Sequence, residues 1–201
     1  MIRKNENMFE KTNLTSLSID LLIFLARNPN KEFYITELAK LADISIGGSY
    51  AALKKLYKIH LIDRRRSGRN SYYRVNEEKP ALKYFKIFFN IQELSPLINR
   101  IKSRCKKIVL FGSCATGDDT MESDIDLFII ADNSKAIKDT IKIKYINQRE
   151  LKSIVITPHD LIELKNKDKA FYDEIDKGIV LWRSGNEWIW NVSEWKKNCK
   201  N

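Results

Sequence analysis

Residues 112–126 read GSCATGDDTMESDID and lead directly into the apolar run LFII at 127–130. Another apolar run, at 108–111, precedes them, so the stretch connects the end of one predicted strand to the start of a second. Glycine at position 112 lets the backbone approach a ligand closely, and free amides at the start of a following helix suit a phosphate group. The Gly112-Ser113 pair therefore predicts a phosphate-binding turn.

Two carboxylates stand ten residues further along. Asp124 and Asp126 open the second strand, and residues two apart in a strand point to the same face of the sheet. Converging carboxylates beside a phosphate site suit a hard cation such as Mg²⁺ (or Mn²⁺) that bridges the protein and a triphosphate. The alternative is a polar turn leading into a strand, with both aspartates solvated or capping.

Gly112-Ser113, Gly117 and the stretch Ser123–Leu127 resemble the signature of the DNA polymerase beta-type nucleotidyltransferase superfamily, in its minimal, kanamycin nucleotidyltransferase-like branch. The resemblance covers roughly residues 95–183 and implies an α/β (α+β) fold with a mixed sheet flanked by helices. It implies that Asp124 and Asp126 are catalytic and hold Mg²⁺ (or Mn²⁺), with an NTP as the substrate. The nucleotide-binding residues that it implies are Gly112, Ser113, Gly117 and Ser123.

The chain departs from this family pattern at two places. Thr116 stands where a basic residue is common. Active members carry a third acidic residue on a later strand, and the corresponding strand here, predicted at 151–157, contains no acid. Glu150 and Asp160 flank that strand, so either a flanking acid substitutes or catalysis is impaired.

The first half of the chain has the element order of a winged helix-turn-helix. An apolar helix over 15–26 precedes a short strand at 32–35, a helix capped by Thr36, and a third helix that Ser45 caps, over about 46–58. Two strand-like runs around a glycine-containing turn at 67–70 then predict a basic hairpin. Many prokaryotic regulators with winged helices are similar over this stretch, and the similarity implies double-stranded DNA as a partner.

DNA contacts are expected from the third helix and from the hairpin. Ser49, Tyr50 and Lys54 are predicted to face outward into a major groove, and the hairpin arginines are predicted to hold phosphates or to enter the minor groove. The predicted DNA-binding residues are Ser49, Tyr50, Lys54, Arg64, Arg65, Arg66 and Arg69. A net charge of +10 fits a polyanion partner. The alternative is a solvated basic hairpin on a winged helix that serves only in dimerisation.

These elements predict four segments. They are the winged helix at 1–78, a linking helix at 79–94, a nucleotidyltransferase-like domain at 95–183 and a C-terminal tail at 184–201. A second helix is predicted to begin at Ser95-Pro96, because proline is favoured at the first helical position. An aromatic stripe on the linking helix predicts packing between domains or across a homodimer.

Composition excludes other classes of protein. No stretch approaches the roughly 18 apolar residues of a membrane span, so no membrane partner is expected. The three cysteines lack metal-ligand spacing and are interpreted as reduced thiols in a cytoplasmic protein.

Two functions follow from the combined pattern. In the first, the chain is a DNA-binding nucleotidyltransferase that moves NMP from a Mg²⁺-bound NTP to a hydroxyl of a protein, RNA or small molecule, and the resemblance extends to toxin–antitoxin pairs. In the second, it is a transcriptional regulator whose nucleotidyltransferase-like domain is catalytically degenerate and senses nucleotide or mediates assembly.

Overall fold

The computed structural model describes residues 14–185, as two sheet-containing modules joined by one long helix. All but two residues of the predicted tail, 184–201, lie outside the described part of the chain.

The N-terminal module is a winged helix, as predicted. Its three strands form an antiparallel sheet in the order β1-β3-β2. Its elements are α1 (Ser16–Ala26), β1 (Phe33–Tyr34), α2 (Ile35–Leu41), α3 (Ile46–Lys58), β2 (Ile62–Ser67) and β3 (Asn70–Val75). Leucines of α1 and α3 fill its core, with Leu22, Leu25, Leu53 and Leu56 fully buried.

Local chemistry sets the helix starts in this module. The Ser45 hydroxyl accepts a hydrogen bond from the Gly48 amide at 3.1 Å and caps α3, as predicted. The cap predicted at Thr36 is wrong, because α2 already begins at Ile35. The Glu37 carboxylate accepts from the Tyr34 amide at 2.8 Å and so satisfies a donor that would otherwise be left free.

A single helix, α4 (Pro80–Ile101), connects the two modules. The helix start predicted at Ser95-Pro96 is therefore wrong. Pro96 removes only the hydrogen bond to the Gln92 carbonyl, and Gln92 is exposed, so water can satisfy that oxygen. Although α4 has 22 residues, no helix between residues 14 and 185 is long and apolar enough to cross a membrane.

The C-terminal module is a five-stranded mixed sheet in the order β6-β7-β5-β4-β8. Strands β5 and β7 are parallel, and the other neighbouring pairs are antiparallel. Its elements are β4 (Lys107–Phe111), α5 (Ser113–Thr116), β5 (Ile125–Ile130), α6 (Ser134–Thr140), β6 (Tyr145–Ile146), β7 (Arg149–Ile156), α7 (Pro158–Lys167), α8 (Lys169–Asp176) and β8 (Ile179–Arg183). The predicted α+β class with flanking helices is confirmed.

The two faces of this sheet are covered differently. Helices α4 and α6 pack on the face that carries Ile125 and Leu127. Helices α7 and α8 pack on the face that carries Phe128 and Ile130, and Phe171 of α8 contacts Phe111 of β4. The start of β5 on this second face is left partly exposed, and Asp126 lies there.

Candidate nucleotide site and winged-helix surface

Asp124 and Asp126 share one face of the sheet, as the spacing predicted. Ile125 between them is fully buried on the opposite face. Burial raises the pKa of the Asp126 carboxyl, and the negative charge of Asp124 raises it further. Lys152 partly offsets this effect by lowering the pKa. A carboxylate whose charge is destabilised by burial and by a neighbouring carboxylate favours a bound cation.

Gly112 brings the turn after β4 directly against this pair. Phe111 is paired with Asp126 across β4 and β5, so the next residue must pass beside the carboxylate. Gly112 has a φ of +67°, and a Cβ built on it would lie 2.8 Å from Oδ2 of Asp126. Both the backbone conformation and the space therefore require glycine. Ser113 then begins the short helix α5.

Lys152 lies next to the carboxylate pair, on the strand where the family pattern has an acid. It is paired with Asp126 across the parallel strands, and its Nζ lies 2.5 Å from Oδ2 of Asp124. The hydrogen bond to Asp124 raises the pKa of the Lys152 ammonium, so this group stays charged. The site thus contains two carboxylates and the ammonium group of Lys152.

The two flanking acids lie at opposite ends of β7. The Asp160 carboxylate accepts a hydrogen bond from the Thr157 amide at 2.9 Å and caps α7, beyond the end of the strand. The last residue of β7 is four positions after Lys152, or about 13 Å away at 3.3 Å per residue. Asp160 therefore cannot replace the third acid. Glu150 lies two residues before Lys152, on the same face and at the same end of the sheet.

The structure gives Gly117 and Ser123 structural contacts. Gly117 has a φ of +75°, and a Cβ on it would lie 2.5 Å from the Lys83 carbonyl oxygen, so it permits close packing against α4. The Ser123 hydroxyl accepts from the Thr120 amide at 2.9 Å and orders the turn before Asp124. The nucleotide contacts predicted for these two residues stay predictions.

A buried ionic cluster lies behind the site, on the face opposite Asp126. Arg149, the first residue of β7, is almost fully buried, and so is Asp119 of the loop after α5. Nη1 of Arg149 donates to Asp119 at 3.0 Å, and Nη2 donates to Glu93 of α4 at 2.6 Å. The cluster thus joins the loop, the linking helix and β7.

The same cluster extends into the winged helix through Arg27. The Arg27 guanidinium donates to Glu93 at 2.8 and 2.9 Å and to Asn90 at 2.9 Å. Burial acts to raise the pKa of Glu93, but Arg27, Asn147 and Arg149 together lower it through hydrogen bonds and charge. Burial lowers the pKa of Lys86, whose Nζ lies 3.8 Å from Asp119. Sequence reasoning missed this cluster because its members are scattered from residue 27 to residue 149.

One of the three α3 residues predicted to face outward does not do so. Ser49 is fully buried, and its hydroxyl donates to the Ser45 carbonyl at 3.2 Å, so the outward orientation predicted for it is wrong. Tyr50 and Lys54 are exposed, as predicted. Gly47 is also exposed, and a Cβ on it would meet nothing within 4 Å, so this end of the helix offers a flat surface.

The four hairpin arginines predicted to contact DNA divide into two pairs. Arg65 forms an ion pair with Glu32 at 2.6 Å and lies over the ring of Tyr72, and Arg64 donates to the Ser71 hydroxyl at 2.9 Å. Arg66 and Arg69 are exposed at the tip, and neither has a hydrogen-bond or ion-pair partner within residues 14–185. The tip therefore presents two cations whose charge no carboxylate in this range neutralises.

Comparison with known proteins gives matches for both halves of the chain. The family model for polymerase beta nucleotidyltransferases matches residues 92–187. Two proteins of Methanocaldococcus jannaschii, named as candidate protein adenylyltransferases, are 47% identical over 58 residues and 35% identical over 78 residues. These matches cover 29% and 38% of this chain. The chain spans about half (49%) of the first relative and 77% of the second.

Solved structures similar to this chain include winged-helix proteins. One is the homodimeric winged helix-turn-helix DNA-binding domain of a Mycobacterium bovis protein, with 22% identity and a TM-score of 0.36, covering 42% of this chain and 75% of that one. Another is the adhesin competence repressor of Streptococcus pyogenes, with 23% identity and a TM-score of 0.35, covering 47% and 69%. The winged-helix assignment itself follows from the element order and the sheet of this chain.

Proposed function

Since this chain belongs to the polymerase beta-type nucleotidyltransferase family, we propose that it transfers NMP from an NTP to a hydroxyl group and binds double-stranded DNA through its winged helix. One observation carries the transfer proposal. The turn at Gly112 passes so close to Asp126 that only glycine fits, which puts a family phosphate-binding turn beside a carboxylate pair.

The residues present fit a divalent cation held with a nucleotide. Asp124 and Asp126 supply oxygen ligands on one face, as Mg²⁺ and Mn²⁺ require, and the triphosphate would supply further oxygens. When bound, the cation neutralises charge on the phosphates and polarises the α-phosphate. The backbone at Gly112-Ser113 would hold the β- and γ-phosphates. The acceptor hydroxyl attacks the α-phosphorus, and pyrophosphate leaves.

Incubation with α-labelled NTPs and Mg²⁺ tests the transfer proposal. We expect transfer of label to an acceptor together with release of pyrophosphate, and loss of both on chelation. Four NTPs assayed separately identify the base. Tight binding of an NTP with neither product would instead support a nucleotide-sensing role.

The names of the relatives favour a protein acceptor. Each is described as a candidate protein adenylyltransferase, so ATP and a protein hydroxyl are the first pair to assay. Recovery of label in RNA would instead identify RNA as the acceptor. The toxin–antitoxin role implied by the family resemblance stays a proposal, and transfer to a protein encoded beside this chain would support it.

A nucleotide-responsive transcriptional regulator is the second candidate, and Lys152 favours it. This lysine lies on the strand where the family pattern has an acid, and its contact with Asp124 competes with a cation for the carboxylates. In this case NTP binding would change DNA affinity without turnover.

Replacing Lys152 with aspartate is expected to strengthen cation binding. The change removes a competing ammonium and adds a ligand oxygen, and a gain of about 1–2 kcal/mol corresponds to roughly tenfold tighter Mn²⁺ binding. Electron paramagnetic resonance of Mn²⁺ in the presence of a non-hydrolysable NTP measures the Mn²⁺ affinity. Lys138→Asp has the same charge change on the exposed side of α6 and is the matched control. Equal Mn²⁺ affinities of Lys152→Asp and Lys138→Asp would contradict competition between Lys152 and the cation.

The DNA-binding proposal rests on the exposed face of α3 and on the hairpin tip. Tyr50 and Lys54 are available to base edges, and Arg66 and Arg69 to phosphates. We further propose that DNA is bound by a homodimer, since Phe88 of α4 is 55% exposed. Sedimentation equilibrium measures the oligomeric state.

Replacing both Arg66 and Arg69 with alanine is expected to weaken DNA binding about uniformly across sequences. Each lost phosphate contact lowers the slope of log K against log salt by about 0.9, so the double variant should lose nearly 2. Titration of a labelled duplex at several salt concentrations measures the slope. Arg65→Ala is the matched control, because Glu32 already neutralises Arg65. An unchanged slope in the double variant would exclude the tip as a phosphate contact.

A further inference from the structure

The hairpin of β6 and β7 brings a tyrosine to the edge of the nucleotide site. Its two turn residues, Asn147 and Gln148, have positive φ values of +47° and +69°, the pattern of a tight two-residue turn. Tyr145 is paired with Glu150 across this hairpin. Facing residues of paired strands project on the same side of the sheet.

This register puts Tyr145 on the face that carries the carboxylate pair. Glu150 shares a face with Lys152, which is paired with Asp126. Continuing the same parallel register by two residues sets Glu150 opposite Asp124. A row across three strands therefore contains a carboxylate for the cation, a second acid, and a phenol.

The spacing of this row suits transfer to the phenol. Neighbouring strands lie about 4.8 Å apart, so Tyr145 and Asp124 are separated by about 10 Å along the sheet. The phenol ring can span about half of that gap, and the α-phosphate of a nucleotide held at Asp124 can occupy the remainder. Tyr145 is 62% exposed, and its side chain has no hydrogen-bond or ring partner in the described residues, so it is free to turn.

We propose that Tyr145 is an acceptor for NMP, so that the chain modifies its own tyrosine. The proposal rests on the proposed transferase function and names an acceptor for it. The Tyr145 hydroxyl oxygen forms a bond to the α-phosphorus, the bond from that phosphorus to the bridging oxygen breaks, and pyrophosphate leaves. Glu150, which faces Tyr145, takes the phenolic proton, and the product is a tyrosine phosphodiester.

Other exposed tyrosines do not fit this geometry. Tyr34, Tyr50 and Tyr57 belong to the winged helix, on other elements. Tyr84 is 73% exposed, but it lies on α4, which covers the opposite face of the sheet. Position in the register therefore distinguishes Tyr145 more than exposure does.

Peptide mass spectrometry after incubation of the full chain with ATP and Mg²⁺ tests the proposal. We expect an added AMP on the peptide containing Tyr145, absent in Tyr145→Phe and retained in Tyr84→Phe. Glu150→Gln should slow the labelling by about a hundredfold or more, as loss of a positioned proton acceptor does. Tyr145→Phe preserves the ring, so its fold can be compared with the parent by circular dichroism.

The remaining outcomes separate this proposal from the transferase function. Label that persists at another residue in Tyr145→Phe, or transfer to an added protein with no label on Tyr145, overturns the self-modification and leaves the transferase function in place. Absence of both label and pyrophosphate release from the parent chain, with nucleotide bound, overturns both.

Discussion

NMP transfer by the Asp126→Asn variant is expected to fall about a thousandfold, with the fold intact. The carboxylate lies against Gly112 and beside Asp124, where it would hold the cation. A cation on the reacting phosphate contributes several kcal/mol, and about 4 kcal/mol corresponds to a factor of a thousand in rate. Pyrophosphate release under saturating Mg²⁺ and NTP measures the loss.

Asp132→Asn is the matched control for this substitution. Asp132 is exposed just beyond the opposite end of β5, where it pairs with Lys106, so its loss should leave transfer unchanged. Asp126→Asn also removes a like charge beside Asp124, so the variant should melt no lower than the parent chain. Undiminished transfer by Asp126→Asn would remove the carboxylate pair from the mechanism.

Asp119→Ala is expected to destabilise the folded chain by about 3–5 kcal/mol. The substitution leaves Arg149 and Arg27 buried with one remaining carboxylate, Glu93, and an uncompensated buried charge carries this cost. Urea unfolding monitored by circular dichroism measures the change in the free energy of unfolding. Because the cluster contacts both modules, a single common transition is expected to shift.

The exposed pair of Asp63 and Arg74 supplies the comparison. Its atoms lie 3.4 Å apart in water-accessible positions, so Asp63→Ala should cost less than about 1 kcal/mol. Equal effects of Asp63→Ala and Asp119→Ala would mean that the buried cluster contributes no more than a surface pair.

Local patterns predicted the site more fully than they predicted its surroundings. The convergence of Asp124 and Asp126 follows from strand alternation, and the capping of α3 by Ser45 follows from its side chain. Ser49 was misplaced because it lies with Ala52, Leu53 and Leu56 on the buried face of α3. Small residues such as serine and alanine carry too little hydrophobic signal to fix the rotation of α3 about its axis.

Local sequence patterns could not predict which residues of different elements come together. The absence of an acid from the strand predicted at 151–157 was visible in the sequence, but only the register of β7 against β5 puts Lys152 beside Asp126. Likewise, Arg149 looks like a surface residue at the start of a strand until Asp119 and Glu93 are brought to it. Contacts between residues far apart in sequence depend on topology, which hydrophobic periodicity does not encode.

The unbroken course of α4 has a consequence for where the protein can act. Its 22 residues extend about 33 Å, close to the length of one turn of duplex DNA, and Arg27 fixes the winged helix to it at Asn90 and Glu93. With DNA bound to α3, the nucleotide site would be held at a constant distance from the DNA. Proximity would then select acceptors: a molecule docked on the DNA near the bound winged helix would meet the site, and one docked far along the DNA would not.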